Sequence, residues 1–397
     1  MSRSRKHWTA ACLVAAGGLT AAALPPGTAG AVGVRNASLQ VIAQGLNSPR
    51  GVTVLPDGTV LVAEAGHGGR GPCVGSGELR SCFGHSGSIF RLQGRDGRRI
   101  VRGLPSISDA GGREASGPVQ VMVHGRRLLV LSGAGLNGSQ RAAFGAGALP
   151  MGTLYALPGG RILADLVRHE TVYDPDWVLP RNDPRGEAVH SNPWRFVRSG
   201  HGGWLVTDAG ANDLIRVGPR GRTHTEALFP HNRAATTGGA ASGQPRRLMG
   251  LHGGGRAQET RQVQSVPTGL VRGPDGAYYV GELAGFAPGA SRIWRIVPGH
   301  RPRLFVSGLT AVSDLALDRH GNLLALSLTR GLAGFPQTPP LPGALYRIDL
   351  RSKRRTEIPT GGTLMFPTGL GVGRHGEIYV SNRGVGTGAG QLLRLHG

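Results

Sequence analysis

A single phrase recurs along this chain and limits its fold more strongly than any other feature. It reads Pro-x-Gly-apolar, followed by a turn, a short apolar run and an acidic or amide residue. Strand-turn-strand repeats of this kind bury their apolar faces only by stacking on one another. Six copies predict a closed ring, with clear copies starting at Pro49, Pro193, Pro267 and Pro367 and weaker ones at Pro118 and Ser313.

Each copy is followed by a third apolar segment and, in most units, by a fourth, for example at residues 99–102 and 302–306. Four strands per unit is the plan of a β-propeller blade, so the prediction is an all-β, six-bladed β-propeller of four-stranded blades. The chain stops after the third strand of the last unit. Residues 38–43, ahead of the first copy, are expected to supply the missing strand and close the ring.

The first residues are predicted to be an export signal and not part of the fold. Arg3, Arg5 and Lys6 precede an apolar stretch at 8–24, and small residues follow at 28–31. This order is typical of a secretory signal peptide, here assigned to 1–31. An uncleaved membrane anchor is the alternative, although the stretch is short for a span. We expect a secreted, extracellular protein with one propeller domain at 32–397, with insertions at about 136–187 and 229–265.

Export also gives the cysteines a role. Once Cys12 is removed with the signal, Cys73 and Cys82 remain as a pair in a Gly-rich excursion of the first unit. An oxidising compartment favours a structural disulfide between them. A metal site would need further ligands, for which only His67 and His85 lie nearby.

The formal net charge of +22 invites a nucleic-acid partner. The basicity is almost entirely arginine and is scattered over every unit, since lysine occurs only at Lys6 and Lys353. Aromatic stacking platforms are also missing, so we expect no specific nucleic-acid binding. Attraction to a polyanion such as a cell-wall polymer remains open on net charge alone.

Polar residues recur at equivalent ends of the first two strands of each unit. In a propeller these ends converge on one face around the channel mouth, where carboxylates and amides can hold a hard cation. The alternative is that each bonds the backbone of the adjacent blade and fixes the register. The candidate ligand or metal residues are Glu64, His190, Asn192, Asp208, Glu282 and Asn382, with Thr268, Asp314 and Thr368 at the starts of first strands.

Arginine occupies the same place in five of the six third strands. The repetition favours a structural role over a catalytic one, because a catalytic residue is rarely needed at five equivalent places. We expect these side chains to pack against or pair with a neighbouring blade, with Glu64, Asp208 and Glu282 as possible partners. The five are Arg91, Arg216, Arg295, Arg347 and Arg394.

Several of these segments resemble the ScyD/ScyE family, whose blades are similar to NHL repeats. The resemblance is carried by Asn47-Ser-Pro-Arg-Gly-Val, Val62-Ala-Glu-Ala-Gly, Val206-Thr-Asp-Ala-Gly-Ala-Asn-Asp and Asp275-Gly-Ala-Tyr-Tyr-Val-Gly-Glu. It implies an exported six-bladed propeller and implies no activity. The sequence departs from the family pattern at Trp194-Arg-Phe.

Two functional classes follow. The preferred one is a binding or scaffolding module without a cofactor, expected to be a monomer, whose loop face holds a small molecule, a cell-wall polymer or a protein. The alternative is a metal-dependent hydrolase or lactonase, in which a Ca²⁺-like cation at the channel mouth acts as a Lewis acid.

Overall fold

The computed structural model describes residues 38–77, 80–112, 114–179, 189–235, 260–332 and 338–396. They form a six-bladed β-propeller of four-stranded blades, as predicted. In chain order the first three blades are β2 (Pro49–Val54), β3 (Val60–Glu64), β5 (Ser81–Gln93) and β6 (Asp96–Asp109); β7 (Pro118–His124), β8 (Arg127–Ser132), β9 (Thr153–Leu157) and β10 (Arg161–Asp165); and β11 (Pro193–Arg198), β12 (Trp204–Asp208), β13 (Asp213–Val217) and β14 (Thr223–Leu228).

The fourth and fifth blades repeat this plan, and the sixth is built from both ends of the chain. They comprise β17 (Pro267–Arg272), β18 (Tyr278–Glu282), β19 (Ser291–Ile296) and β20 (Arg303–Leu309); β21 (Val312–Leu317), β22 (Leu323–Ser327), β23 (Ala344–Ile348) and β24 (Arg355–Ile358); and β25 (Gly369–Val372), β26 (Ile378–Asn382), β27 (Gly390–His396) and β1 (Ser38–Leu46).

The ring closes where β1 pairs antiparallel with β27. The register runs from Ser38 opposite His396 to Leu46 opposite Gly390, with two bulges. The predicted closing strand is therefore confirmed, and it extends three residues beyond the predicted limit at 43. The sixth blade therefore combines strands from the first and last described parts of the chain.

Burial follows the position of a strand within its blade. The second strands β3, β12, β18, β22 and β26 are buried at every residue. The outer strand β24 buries only Ile358. Six clusters of buried apolar side chains each straddle two adjacent blades. The blades are therefore held together by apolar packing between their faces.

The turn between the first two strands explains the recurrent glycine after an acidic or histidine residue. Gly58 and Gly276 have φ values of 83° and 76°. This left-handed conformation costs free energy for residues with a side chain, and glycine adopts it readily. The turn returns the chain directly into the second strand of the same blade.

Three features lie outside the blade plan. β4 (Cys73–Val74) pairs with β5, and Cys73 and Cys82 form the predicted disulfide. α1 (Gly138–Ala143) and α2 (Leu166–Tyr173) lie around β9 and β10, so the segment 136–187 contains half of the second blade. A hairpin of β15 (Asn232–Ala235) and β16 (Thr260–Val263) follows the third blade.

The predicted signal peptide at 1–31 lies outside the described residues. Within the described part of the chain, no helix has the length and apolar character needed to cross a membrane.

Candidate functional site at the channel mouth

The variable residue of the repeated phrase, directly after the proline position, points to one place in every blade. These six residues line a single cavity of about 460 Å³ on the loop face. A cavity of this size is in the range that small-molecule sites occupy. The six are Arg50, Val119, Trp194, Thr268, Ser313 and Thr368. In the fifth blade Val312, one residue before the predicted start of the copy at Ser313, occupies the proline position, since it pairs with Ser327 at the end of the second strand.

On one side of the cavity, three of these six residues join neighbouring blades through their hydroxyl groups. The Thr268 hydroxyl donates a hydrogen bond to the carbonyl oxygen of Val312 at 2.6 Å. The Ser313 hydroxyl donates to Pro367 O at 2.9 Å, and the Thr368 hydroxyl donates to Pro49 O at 2.6 Å. Each acceptor belongs to the next blade around the ring or to the residue leading into it. This half of the cavity wall is therefore structural.

The other half carries larger side chains. Trp194 is half-buried, and its indole Nε1 donates across the ring to Ser313 O at 3.0 Å. The guanidinium carbons of Arg50 and Arg195 lie 5.8 and 5.5 Å from its ring centroid, within the range of cation–π attraction. Held on three sides, the indole forms the floor of the cavity.

Arg50 is 7 % exposed and spans from the first blade towards its neighbours. Its guanidinium donates to the carbonyl oxygen of Ala115 at 2.8 Å and also to that of Gly384. Both acceptors are neutral carbonyl groups on the loop face. The side chain therefore fixes two loops at the edge of the cavity.

The residue that follows the variable one, at the glycine position of Pro-x-Gly, lies deeper in the channel, and the side chains at this position close it. It is glycine in three blades, and a Cβ at Gly51 would lie 2.7 Å from Val119 O, so no side chain fits there. In the other three blades the residue is Gln120, Arg195 or Asp314. Arg195 and Asp314 are almost fully buried, with side chains 4 % and 3 % exposed, and they meet across the ring axis.

The Arg195–Asp314 pair bonds in two places. Nε donates to Oδ1 at 2.9 Å, and Nη2 donates to Oδ2 at 2.9 Å. The remaining donors of Arg195 reach the carbonyl oxygens of Val119, Trp194 and Thr368. The Asp314 carboxylate also accepts from the backbone N–H groups of Leu315 and Leu370. These bonds join four blades at the centre of the ring and leave a blind cavity above them.

The remaining wall of the cavity is largely apolar. Val266 and Phe366 directly precede the proline of the repeated phrase in their blades and have φ values of 53° and 46°. This left-handed conformation is costly for side chains of this kind. It recurs at Ser48 and Ala311 in equivalent places, so it belongs to the repeat. Further apolar side chains come from Leu136, Leu283, Phe286, Leu328 and Val385.

The predicted candidates Glu64, Asp208, Glu282 and Asn382 lie elsewhere. They end the second strands as predicted, but none lines this cavity, and each is at most 1 % exposed. Glu64 accepts hydrogen bonds from the backbone N–H of Asn47, the Ser88 hydroxyl and the Arg99 guanidinium. These bonds hold the loop that leads into the first strand.

Asp208 and Glu282 repeat this arrangement with different partners. Asp208 accepts from the Ser191 hydroxyl and from the backbone N–H of Asn192 at 2.6 Å. Burial raises its pKa, and these hydrogen bonds act in the opposite direction. Glu282 accepts from Ser265, Arg292 and Trp294. The hydrogen bonds of these carboxylates thus lie within their own blades and the loops that lead into them, and not on the backbone of an adjacent blade.

The amide candidates are engaged in the same way. Asn382 Oδ1 accepts from Met365 N at 2.7 Å. Asn192 lines the cavity, and its Oδ1 accepts from Ala134 N at 3.2 Å. His190 is half-buried beside Gly210 and is not among the residues that line the cavity. Of the six predicted residues, only Asn192 contributes to the cavity.

The expected pairing of the third-strand arginines with Glu64, Asp208 and Glu282 is wrong. Arg216 pairs with Glu226 of its own blade, while Arg295 and Arg347 pair with turn carboxylates of their own blades, Asp275 and Asp318. Arg91 lies 3.6 Å from Asp96, and Arg394 lies over the ring of Tyr379. These arginines lie towards the turns at the opposite ends of the second strands, too far along the blade to reach its acidic end. Arg99 of a fourth strand and Arg292 fill that role instead.

Among the described residues, one set of three acidic side chains has metal-ligand spacing. It consists of Glu170, Asp174 and Asp176, and it includes none of the predicted candidates. Sequence reasoning missed the cavity because it followed the acidic ends of the repeat. The sequence feature that could have indicated the cavity is the variable position of Pro-x-Gly, where Arg50 and Trp194 stand in place of the hydroxyl residues of other copies.

Comparison with known proteins supports the fold. No protein-family model matches the sequence, and no curated protein matches it. The ScyD/ScyE resemblance therefore stays a prediction. Solved structures do match, over about nine tenths of this chain.

One similar structure is a protein of unknown function from Bacteroides thetaiotaomicron, with a TM-score of 0.51, 9% identity, and 90% of this chain and 76% of that chain covered. A streptogramin B lyase gives a TM-score of 0.46 and 12% identity over 91% and 98% of the two chains. The calcium-binding protein regucalcin from Agrobacterium tumefaciens gives a TM-score of 0.47 and 11% identity, with 90% of this chain and 94% of that chain covered. A structure named as a glucose dehydrogenase gives a TM-score of 0.49 and 12% identity over 90% of this chain and 99% of that chain. At these identities the likeness establishes the fold alone.

Proposed function

We propose that this protein binds a small, largely apolar molecule in the cavity above the closed channel. The observation that carries the proposal is the blind cavity itself. It is open to the loop face, lined mainly by apolar side chains, and floored by the half-buried indole of Trp194. An apolar pocket with a few fixed polar groups is the usual form of a small-molecule site.

The fixed groups indicate the class of ligand. A planar ring system gains most from contact with the Trp194 indole, because offset stacking adds to the gain from apolar burial. The rest of the lining is mainly apolar. The proposed ligand is therefore a planar, mostly apolar molecule.

The test uses the neutral fluorophore N-phenyl-1-naphthylamine, because an anionic dye would bind a protein of this net charge unspecifically. We expect saturable binding with one site per chain. Val385→Trp should remove it by filling the cavity, and Val123→Trp, on an exposed strand position, should leave it unchanged. Equal binding by both variants, or no saturation, would refute the proposal.

The enzymatic alternative is the second candidate, since neighbours of this fold include proteins named as enzymes. It would place a metal-dependent hydrolase or lactonase activity at the same mouth. A panel of aryl esters and the lactone dihydrocoumarin tests it. Turnover that is lost in Val385→Trp and kept in Val123→Trp would favour catalysis, and no turnover by the metal-supplemented protein would favour binding alone.

A further inference from the structure

The blades carry opposite charges at their two ends. The second strands end on the loop face, where Glu64, Asp208 and Glu282 stand. The third strands end on the opposite face, and five of the six carry arginine among their last three residues. We call this opposite end the turn face, because it holds the turns between first and second strands and between third and fourth strands. The repeat therefore places its recurrent carboxylates on the loop face and its recurrent arginines on the turn face.

A groove of about 850 Å³ lies between the third and fourth blades and reaches the turn face. One wall is the outer strand β14, and the other contains the turn between β19 and β20. The backbone N–H of Gly299 in that turn donates to Glu226 Oε1 of β14 at 3.1 Å, which holds the two walls side by side. The groove is open to solvent, so it can accept a segment of a longer chain.

The lining of the groove carries a positive charge. His224, His300 and Arg301 line it and are exposed. Glu226 is the acidic residue of the lining, and the Arg216 guanidinium neutralises it through a hydrogen bond from Nε to Oε2 at 2.6 Å. Arg301 is therefore left as an unneutralised charge in the described lining.

Three further arginines flank the groove. Arg220 and Arg222 lie in the turn that leads into β14, and Arg303 begins β20. Like Arg301 they are exposed, and among the described residues none of the four forms an ion pair. Exposed charges of one sign on the two sides of a groove attract a ligand of the opposite sign.

We propose that this groove and its four arginines bind a flexible linear polyanion whose charges are phosphate groups. The planar guanidinium group matches the geometry of phosphate oxygens and can donate two parallel hydrogen bonds to them. Arginines on both sides of the groove suit a chain of such groups better than a single anion. The groove is separate from the loop-face cavity, and the proposal does not depend on the proposed function.

Two observations favour a polymer without bases over a nucleic acid or a membrane. Trp294, the aromatic residue of the groove, is 8% exposed and offers little surface on which a base could stack. The described strands of the groove expose one large apolar side chain, Leu304 of β20. A membrane-bound surface combines several such side chains with its basic ones.

Titration calorimetry with short-chain inorganic polyphosphate tests the proposal. Each phosphate that pairs with an arginine releases counterions, so four arginines should give a plot of log affinity against log NaCl with a slope of about −3. The affinity should therefore fall about fiftyfold between about 50 and about 200 mM NaCl. No binding at the lower salt concentration would overturn the proposal.

A matched pair of double variants separates the groove from the net charge. Arg222→Gln/Arg301→Gln removes one charge from each side of the groove and should weaken binding at least about tenfold at about 0.1 M NaCl and reduce the slope to about −1.5. The control Arg233→Gln/Arg383→Gln removes the same charge from exposed residues of the loop face and should bind as the parent does. Equal weakening of the two double variants would show attraction by net charge alone and would refute the groove.

Modification of arginine by phenylglyoxal, followed by peptide mass spectrometry, locates the ligand. Polyphosphate should protect Arg222 and Arg301 and leave Arg383 as reactive as in the free protein. Protection of all three alike, or of neither groove arginine, would contradict the assignment.

Two other polyanions complete the test. Single-stranded DNA with the same number of phosphates should bind no more tightly than polyphosphate, because the groove offers little exposed ring surface to the bases. DNA binding more than about tenfold tighter would overturn the proposal in favour of a nucleic acid. Binding to phosphatidylglycerol vesicles without binding to polyphosphate would overturn it in favour of a membrane.

Discussion

Arg195 of the third blade and Asp314 of the fifth meet across the axis of the ring, with two nitrogen–oxygen distances of 2.9 Å. The pair replaces glycine at the equivalent position of three other blades. Its place at the centre of the channel separates the loop-face cavity from the rest of the ring. Binding in the loop-face cavity therefore depends on this contact.

The first prediction concerns the free energy of unfolding. Arg195→Met leaves the Asp314 carboxylate buried without its partner and should destabilise the protein by about 3–5 kcal/mol. The double variant Arg195→Met/Asp314→Leu should be less destabilised than the sum of the single variants, because it removes both charges. Arg295→Met, which breaks an exposed pair, should cost less than about 1 kcal/mol. Urea unfolding measures all three, and equal losses for Arg195→Met and Arg295→Met would contradict the buried role.

The second prediction tests the hydroxyl bonds between blades. Thr268→Val keeps the shape of the side chain and removes the bond to Val312 O. Leaving that buried carbonyl without its donor should cost about 1–3 kcal/mol. Thr356→Val, at an exposed position of β24, should stay within about 0.5 kcal/mol of the parent. If thermal and urea unfolding find the two variants alike, the Thr268 hydroxyl does not hold the blades together.

The sequence predicted the ring well because its repeat is a backbone property. Glycine in the turns, proline at the start of first strands and an apolar run in the second strand recur in register, so blade number and the closing strand followed from spacing alone. The cavity did not follow, because its members share a position and no residue type. Arg50, Trp194 and Thr268 are chemically unrelated, and only their convergence at the axis makes them one site.

The acidic residues at the ends of the second strands show a second limit of prediction from the sequence. Glu64, Asp208 and Glu282 recur as a catalytic or metal-binding set would, and the sequence does not reveal the donors that surround them. Those donors include backbone N–H groups and Arg99, which lies 35 residues from Glu64. A contact over that distance depends on how far a fourth strand folds back, which spacing within the repeat does not encode.

The third prediction concerns the pH dependence of the free energy of unfolding. Burial alone would raise the pKa of Asp275, but hydrogen bonds from Arg295, Tyr279 and the backbone N–H of Ala277 outweigh it and lower the pKa. A carboxyl group with a lowered pKa stabilises the folded state above its ordinary value of about 4, and this contribution is lost as the pH falls through the folded-state value. The stability difference between the parent and Asp275→Asn should therefore shrink between about pH 7 and about pH 3. A difference that grows on acidification in urea unfolding would contradict the assignment.

The fourth prediction concerns the disulfide. The double variant Cys73→Ser/Cys82→Ser removes a link that closes a short loop and should lower the free energy of unfolding by about 2–3 kcal/mol. Of this loop only Ser81 and Cys82, at the start of β5, belong to a blade, so the β-rich circular dichroism spectrum should be unchanged. Reduction of the parent protein should reproduce the loss, and a reduced parent as stable as the oxidised one would show that the link contributes nothing.

The most direct test of the central claim is a crystal structure of the protein with N-phenyl-1-naphthylamine. The account predicts the probe on the loop face, with a ring against the Trp194 indole and the Arg195–Asp314 pair intact beneath it. A probe bound below that pair, a pair separated by the probe, or a probe at the outer rim of the blades would contradict it.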